Sequence, residues 1–382
     1  MMLQKILGRG KVSEEEIDRI AYSSDASQIR GKTKIVVWPE TEQEVIATVK
    51  YCLQNNLNIV TRGGGTGLVG GAVPDNSVVI DLSKMNKMKV ERDYATVEPG
   101  VILEDLINIE SKKFFSVMIG SRKVCTIGGM IATNAAGMRS LKYGKMENWI
   151  EELEIINGEG KKIKIGKEKI KEFCGKEGTT GIIIKAKLKL VEKPKEVTLS
   201  ILSFDNLTSL VEKVRELVKN ENVSIVEYID RITSEWAGLG NKYHLMIEYE
   251  NGDGNIKGGE MKEVWKMRES LYPIVAEKGY TTIEDPEVSI DQIDRFLHWL
   301  QKNEIPTFGH ISIGVVHPHF KENSPQIKEM FKIVETLNGS VTGEHGIGIM
   351  KKEFVQKEKA EEIKKLKKIH DKKNIFNRGK IV

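Results

Sequence analysis

Two short segments near the C-terminus concentrate residue types that can bind a metal ion. Four of the seven histidines lie in residues 309–319 and 343–348. His310, His317 and Glu344 offer two imidazoles and a carboxylate, which can form a three-ligand site for a divalent metal and leave positions open for a substrate. Glu344 and His345 also place two ionisable groups in one glycine-flanked turn.

The spacing of the two histidines sets a condition on this site. His310 and His317 are seven residues apart, so on one straight strand their side chains would point to opposite faces. Both can reach one metal only if the chain bends between them, and we expect the bend at Gly314. Taken alone, the pair is equally typical of ordinary half-buried histidines, and Glu344 with His345 is also typical of a charged surface turn.

A glycine-rich loop earlier in the chain has the composition of an anion-binding turn. Residues 62–71 lie between two strand-like runs, residues 57–60 and 78–82. Glycines permit positive φ, and consecutive backbone N–H groups in such a turn can hold a diphosphate. No helical pattern follows the loop and no Gly-Lys-Ser/Thr ends it, so it is neither a Rossmann turn nor a P-loop. A flexible linker is the alternative, but linkers rarely separate two apolar strands.

A second cluster of small residues, 126–137, again lets a ligand approach the backbone. Together, the two clusters resemble the PCMH-type FAD-binding domain of the vanillyl-alcohol oxidase superfamily. The resemblance extends to residues 35–45, to Lys142-Tyr143-Gly144 and to residues 178–183, in the family's order. Each signature alone would be weak, whereas several in one order over about 150 residues are specific.

This resemblance implies FAD as the cofactor. Thr66 stands where covalent flavoproteins of the superfamily carry a histidine, so we expect FAD to be bound non-covalently. The positions that match FAD contacts of the family are Arg62, Gly63, Gly64, Gly65, Thr66, Gly67, Thr126, Gly128, Gly129, Ala132, Asn134, Ala135, Gly137, Gly181, Ile183 and Asn377.

The two histidine-bearing segments resemble a narrower family, the FAD-linked D-2-hydroxyacid dehydrogenases. This family includes D-lactate dehydrogenase and the flavoprotein subunit of glycolate oxidase. The resemblance implies that His310, His317 and Glu344 bind a divalent metal, zinc or manganese, and that His345 is the general base. It further implies hydride transfer from C2 of a small D-2-hydroxy acid to the flavin.

The same resemblance implies a role for Arg268. The matching arginine of the family grips the substrate carboxylate, for which a planar guanidinium suits bidentate binding. From spacing alone, Arg268 would instead be a solvated helix residue beside Glu269, which it could not face.

The chain departs from the family between the two histidines. Ser312-Ile313-Gly314-Val315 stands where members usually carry Gly-Asp-Gly-Asn. The lost polar groups leave three alternatives: a more apolar 2-hydroxy acid as substrate, a weakened or absent metal, or lost catalysis with FAD binding retained. Ile283 occupies a position where 2-hydroxyglutarate-type enzymes have a second cationic contact, which favours a monocarboxylate. In the tail, residues 374–380, Arg378 replaces the family's proline.

We predict an α+β protein built from four segments. A helical cap, residues 1–30, precedes a two-subdomain FAD-binding domain, 31–195. An α+β substrate or cap domain, 196–355, is followed by a C-terminal segment, 356–382, that returns to the FAD-binding domain. We predict a helix from Val12 to Ala21 with Ser13 as its N-cap, and a strand from His310 to Val316. Further predicted helices are 40–54, 207–218, 258–276, 291–303 and 327–337, and further strands are 185–191, 200–204, 223–228 and 244–249.

Composition excludes several classes of protein. The net charge is only +4, from 59 basic and 55 acidic residues, which is no nucleic-acid footprint. Three widely spaced cysteines form no metal or disulfide pattern and indicate a reducing cytoplasm. No transmembrane run is present. The lysine-rich residues 351–373 leave open a peripheral contact at the inner face of the membrane, although a soluble helix with one docked face is favoured. The possibility of a homo-oligomer also stays open.

Three functions compete. The first is an FAD-dependent dehydrogenase for D-lactate, glycolate or a similar acid that passes electrons to a quinone or an acceptor protein, since no nicotinamide motif is visible. The second is a non-catalytic FAD-binding subunit of a larger electron-transfer complex. The third, ranked lowest, is a synthase that exchanges an acyl for an alkyl group on dihydroxyacetone phosphate.

Overall fold

The computed structural model describes residues 2–382, and Met1 lies outside the described residues. Its N-terminal half contains eleven strands and six helices. The strands are β1 (Val12–Ser13), β2 (Lys32–Val37), β3 (Ile59–Arg62), β4 (Asp75–Asp81), β5 (Met88–Val90), β6 (Tyr94–Val97), β7 (Lys113–Phe114), β8 (Ile150–Ile156), β9 (Lys162–Gly166), β10 (Ile182–Lys189) and β11 (Val191–Glu192). The helices are α1 (Met2–Leu7), α2 (Glu16–Ala21), α3 (Glu42–Gln54), α4 (Leu103–Ile107), α5 (Ile127–Thr133) and α6 (Ser140–Tyr143).

The C-terminal half contains the remaining six strands and six helices. The strands are β12 (Val197–Phe204), β13 (Val223–Ile229), β14 (Tyr243–Glu250), β15 (Thr282–Ile283), β16 (Thr307–Gly309) and β17 (His317–Phe320). The helices are α7 (Leu207–Leu217), α8 (Arg231–Trp236), α9 (Gly259–Glu277), α10 (Ile293–Lys302), α11 (Gln326–Thr336) and α12 (Lys357–His370).

Two sheets build the N-terminal half. The first has the order β1-β2-β4-β3, in which β2, β4 and β3 run parallel and β1 is antiparallel. The second is antiparallel, with the order β5-β6-β10-β8-β9. Helix α3 covers the first sheet because Val45, Val49 and Cys52 recur at helical spacing and are all buried. Its N-cap is Thr41, whose side chain accepts the N–H of Glu44.

One six-stranded sheet builds the C-terminal half, with the order β12-β14-β13-β16-β17-β15. Its neighbouring strands pair antiparallel. Helices α7, α10 and α11 pack on one face through apolar stripes, and α8 and α9 pack on the other. Every residue of β13 is buried, which is typical of a central strand covered on both faces. This α+β architecture is the predicted fold class.

The C-terminal tail returns to the first sheet. The backbone N–H of Ile59 donates to the Ile375 carbonyl at 2.7 Å, and the N–H of Asn377 donates to the Ile59 carbonyl at 2.8 Å. Helix α12 docks through the buried Ile363, while Ile369 is 54% exposed. None of the helices in residues 2–382 combines the length and apolar character that crossing a bilayer requires. The four predicted segment boundaries stay predictions.

Two predicted elements are wrong. Residues 12–13 form β1 rather than the start of a helix, because the buried Val12 pairs with Val37. Helix α2 therefore begins at Glu16, and the Ser13 hydroxyl accepts the N–H of Glu15 instead of capping the helix. Residues 310–316 are not a strand either. A 3-10 turn, Ile311–Ile313, and a left-handed Gly314 with φ of 72° separate β16 from β17.

Candidate active site

The first glycine loop presses against the second cluster of small residues. A Cβ atom on Gly63 would lie 2.1 Å from the Thr126 hydroxyl oxygen, and one on Gly64 would lie 2.1 Å from the Val124 carbonyl oxygen. A side chain at Gly64 would therefore require the backbone to move, and one at Gly63 would displace the Thr126 side chain. Gly67 has open space where a side chain would be, so this flank of the loop stays clear.

A cleft with a volume of about 60 Å³, the glycine cleft, opens between the two clusters. Thr126 caps the start of α5 by accepting the N–H of Gly129 at 3.3 Å, which turns the first residues of the helix toward the cleft. The cleft is lined mainly by backbone and small side chains: Thr61, Arg62, Gly63, Leu82, Pro99, Thr126, Gly128, Gly129, Ala132, Gly178, Gly181 and Ile183.

Other predicted cofactor residues are engaged by the protein itself. The Asn134 side chain accepts the N–H of Glu147 at 2.9 Å. Ala135 is buried in the core, and a Cβ on Gly137 would lie 2.0 Å from the Met118 carbonyl oxygen. The structure does not bring these three into the lining of the cleft, and their cofactor role stays a prediction.

The other members of the first loop differ in what they contact. The Gly65 carbonyl accepts the N–H of Ala26 at 3.0 Å, and Thr66 is half-buried. Arg62 lines the cleft, but its guanidinium also donates to the Ser24 carbonyl at 2.6 Å. The N-terminal segment therefore helps to fix the loop.

A buried carboxylate connects the N-terminal half to the C-terminal half. Glu177 accepts the N–H groups of Ile347 at 2.6 Å and Gly348 at 2.9 Å. Asn377 of the tail donates to the Glu177 carbonyl, while its own side-chain oxygen is buried without a partner within residues 2–382. Burial raises the pKa of Glu177.

The two predicted histidine ligands and the predicted glutamate converge. Candidate ligand atoms of His310, His317 and Glu344 all lie within 4.8 Å of one another, and we call these residues the histidine–glutamate group. His317 Nε2 is 3.1 Å from Glu344 Oε1, and His310 Nε2 is 3.8 Å from Glu344 Oε2.

The bend that this convergence requires occurs at Gly314, as predicted. A Cβ there would lie 2.0 Å from the Val288 carbonyl oxygen, and the φ of 72° favours glycine. Of the residues that depart from the family pattern, Val315 is fully buried against Gly343, while the Ser312 hydroxyl is buried without a partner within residues 2–382.

A carboxylate that we did not predict joins this group to Arg268. Glu227 of β13 is completely buried. Its Oε2 accepts the Arg268 Nε–H at 2.6 Å, and its Oε1 contacts His310 Nδ1. Burial by itself would raise the pKa of Glu227, but Arg268 and His310 outweigh it and lower the pKa to about 2. The exposed alternative for Arg268 is therefore wrong, and Glu269 instead pairs with Arg122 at 3.1 Å.

Asp285 shapes the turn that carries Glu344 and His345. Its Oδ2 accepts backbone N–H groups from Gly343, Glu344 and His345 at 3.1, 2.8 and 2.6 Å. Its Oδ1 contacts the buried Lys351 ammonium at 2.5 Å. Successive N–H groups that converge on one anion form a nest, here occupied by a side chain of the same protein.

His345 lies inside this arrangement. Its Nδ1 is 3.4 Å from Asp285 Oδ1, its Nε2 is 3.5 Å from Glu344 Oε1, and its ring stacks on His317 with centroids 5.4 Å apart. Burial lowers the pKa of His345 more than Asp285 and Glu344 raise it. The imidazole is therefore neutral near pH 7, the state in which it can accept a proton.

Buried nitrogens without partners concentrate around these histidines. Within residues 2–382, Nδ1 of His317, Nδ1 of His345 and both ring nitrogens of His319 lack hydrogen-bond partners. Buried polar atoms are normally paired, so these nitrogens are free to bind water, a metal ion or a polar ligand. Ile283 of β15 pairs with His319 of β17 beside this cluster.

Comparisons with known proteins agree with the two halves of the structure. Residues 33–166 match the family described as FAD binding domain, and residues 251–381 match FAD linked oxidases, C-terminal domain. The chain is 28% identical to D-lactate dehydrogenase of Archaeoglobus fulgidus, covering 91% of this chain and 91% of the relative. It is 28% identical to glycolate oxidase subunit GlcD of Bacillus subtilis, covering 99% of this chain and 95% of the relative.

Two further comparisons broaden this picture. D-2-hydroxyglutarate dehydrogenase of Stutzerimonas stutzeri is 24% identical, over 99% of this chain and 97% of the relative. A solved structure of alkyldihydroxyacetonephosphate synthase superimposes with a TM-score of 0.72 and 17% identity, over 98% of this chain and 84% of that one. At that identity the likeness concerns the fold alone. The chain is therefore an FAD-dependent oxidoreductase and belongs to the FAD-linked D-2-hydroxyacid dehydrogenase family.

Proposed function

We propose that this protein oxidises a small D-2-hydroxy monocarboxylate, of the D-lactate or glycolate type, to the 2-oxo acid. The observation that carries the proposal is the continuity of the site. Arg268, the histidine–glutamate group and His345 lie in one connected cluster of buried polar side chains. A cation for the carboxylate, a base and a metal-ligand set are the three functions that such an oxidation needs.

The lining of the glycine cleft fits the diphosphate of FAD. Its walls are backbone and small side chains, so N–H groups can approach a diphosphate closely. We infer that the cofactor is held non-covalently by the predicted positions Arg62, Gly63, Gly64, Gly65, Thr66, Gly67, Thr126, Gly128, Gly129, Ala132, Gly181, Ile183 and Asn377. Asn134, Ala135 and Gly137 support the second cluster through contacts within the protein. When bound, FAD supplies a two-electron acceptor for the hydride that leaves C2.

The residues of the chain then divide the remaining work. Arg268 binds and orients the substrate carboxylate, because Glu227 occupies one edge of the guanidinium and leaves the other free. His345 accepts the proton of the C2 hydroxyl at Nε2, since Nδ1 faces Asp285. The two imidazoles and the carboxylate of the histidine–glutamate group fit zinc or manganese, which would lower the pKa of a bound hydroxyl.

We further propose that electrons pass to a quinone or an acceptor protein and that the protein is cytoplasmic. The cysteines support a reducing compartment, because Cys52, Cys125 and Cys174 are all free and buried. A monocarboxylate is favoured because Ile283, an aliphatic side chain, stands where a second cationic contact would bind a dicarboxylate.

A second candidate is a flavin-binding subunit without turnover of its own. It is favoured by the replaced segment, residues 312–315, in which Val315 is buried under Gly343 instead of offering a polar group. The synthase activity is not favoured, because the solved synthase structure shares only the fold with this chain.

Anaerobic titration of the FAD-loaded protein with D- and L-2-hydroxy acids, with and without zinc or manganese, tests the proposal. We expect a small D-acid to bleach the flavin absorbance and D-2-hydroxyglutarate to be slower. The bleaching should be lost in His345→Ala, and the matched control is His298→Ala, which removes an exposed histidine of α10. If no acid bleaches the flavin under any metal condition, the flavin-binding subunit is the better account.

A further inference from the structure

Glu227 is the only residue of β13 that carries charge, and it is fully buried. It lies on the face of the sheet that packs against α9, the helix that bears Arg268. Its two partners come from distant parts of the chain, 41 residues away at Arg268 and 83 residues away at His310. One carboxylate thus contacts both a candidate metal ligand and the candidate carboxylate-binding arginine.

The contact with Glu227 fixes the orientation of the His310 ring. With Nδ1–H donating to Glu227 Oε1, the ring turns Nε2 toward the histidine–glutamate group, where its lone pair could ligate a metal beside Glu344. A carboxylate behind a metal-bound imidazole fixes its tautomer and orientation and increases its basicity. Glu227 is placed to do this for His310.

Glu227 also holds the guanidinium of Arg268 in place. Its Nε and Nη2 lie 2.6 and 2.5 Å from Glu227 Oε2, and the guanidinium packs over the Phe308 ring at 4.7 Å. Within residues 2–382 no other group accepts a hydrogen bond from this guanidinium, which leaves its second edge for a ligand. A metal cation and Arg268 would repel each other in a buried site, and the carboxylate between them offsets that repulsion.

We propose that Glu227 is a positioning residue that couples metal occupancy of the histidine–glutamate group to carboxylate binding at Arg268. The inference rests on the proposed function, in which both groups serve one substrate. A metal held by the histidine–glutamate group would strengthen the His310 Nδ1–H donor, and Glu227 would then hold Arg268 more firmly in its binding orientation. A bound carboxylate stabilises the same arrangement from the other side, so the coupling is reciprocal.

Calorimetric titration of the FAD-loaded protein tests the coupling without turnover. The probes are propionate, a carboxylate that lacks the 2-hydroxyl, and Zn²⁺ or Mn²⁺ alone. In the wild-type protein we expect metal to lower the Kd of propionate by about fivefold or more, and propionate to lower the Kd of the metal by the same factor. In Glu227→Gln we expect metal affinity to fall by about tenfold to a hundredfold. The metal should then no longer change the Kd of propionate.

The matched control is Glu269→Gln, which removes the neighbouring carboxylate that pairs with Arg122 and should leave the coupling intact. Should Glu227→Gln fail to fold, Arg268→Gln decides the question. Coupling that persists in either variant would mean that propionate binds the metal directly and would overturn the proposal, as would its absence from the wild-type protein. Coupled binding of metal and propionate in a protein that oxidises no acid would instead contradict the proposed function and still support this inference.

Discussion

Asp285→Asn should be one of the most damaging conservative substitutions in the site. Asp285 Oδ2 accepts the Thr342 hydroxyl at 2.9 Å and the three backbone N–H groups of residues 343–345. Asn can keep one oxygen against these donors, but its amide NH2 must then replace Oδ1. A donor would thus face the Lys351 ammonium, which Oδ1 contacts at 2.5 Å, and Lys351 would keep Glu284 at 2.7 Å and the Val341 carbonyl at 3.1 Å.

The expected loss of stability in Asp285→Asn follows from the burial of the ion pair. Asp285 and Lys351 are both almost completely buried, so solvent cannot replace the lost partner. Removing one member of a buried ion pair costs about 3–5 kcal/mol. We therefore expect the free energy of unfolding in urea, followed by tryptophan and flavin fluorescence, to fall by about 3–5 kcal/mol. The rate of flavin reduction should fall as well, because the turn that carries His345 loses its anchor.

Asp294→Asn is the control for this measurement. Asp294 is 41% exposed and lies 3.9 Å from Arg215, so the change should alter the free energy of unfolding by less than about 1 kcal/mol. A loss below about 1 kcal/mol for Asp285→Asn would refute the reasoning, since it would mean that the nest does not depend on the second carboxylate oxygen.

Three further predictions concern other residues. His345→Ala should slow flavin reduction by a D-2-hydroxy acid by about 10²–10⁴-fold in stopped-flow measurements while calorimetry still detects propionate, and unchanged reduction would exclude His345 as the base. Arg139→Met should lower the free energy of unfolding in urea by about 3–5 kcal/mol. It leaves the buried Glu248 carboxylate without the guanidinium that donates to it at 2.7 and 3.0 Å. A fall below about 1 kcal/mol, as for an exposed ion pair, would contradict this. Burial raises the pKa of Asp230 to about 6, so the folded state holds a proton that the unfolded state releases near pH 4. Stability should therefore fall by about 3 kcal/mol as the pH rises from about 4 to about 6, and Asp230→Asn should remove that slope; an unchanged slope would assign it to another group.

The glycine clusters and the histidine-bearing segments were predictable because each is a local pattern. Backbone that must approach another group excludes Cβ atoms, and this requirement is visible as glycines at Gly63 and Gly64. The condition that His310 and His317 face one point predicts a bend at Gly314, and the structure has it. The strand predicted over the same residues is wrong because the left-handed Gly314, packed against the Val288 carbonyl, interrupts their β-branched run.

Glu227, Asp285 and Glu177 were missed because their partners are far away in sequence. Glu177 accepts N–H groups 170 and 171 residues later in the chain, and no local pattern marks such a pairing. A signal did exist at Glu227, an acidic residue inside the otherwise uncharged strand Val223–Ile229. A buried charge requires a partner, so an acid in such a strand predicts a nearby cation even when the sequence does not identify it.

Anaerobic stopped-flow reduction of the flavin by a D-2-hydroxy acid and by its C2-deuterated form tests the central claim most directly. The account predicts rapid bleaching by the D-acid, slower bleaching by the deuterated acid because the C2–H bond breaks in that step, and no bleaching by the L-acid. Metal-supplemented protein whose flavin stays oxidised with every D-acid would contradict the account.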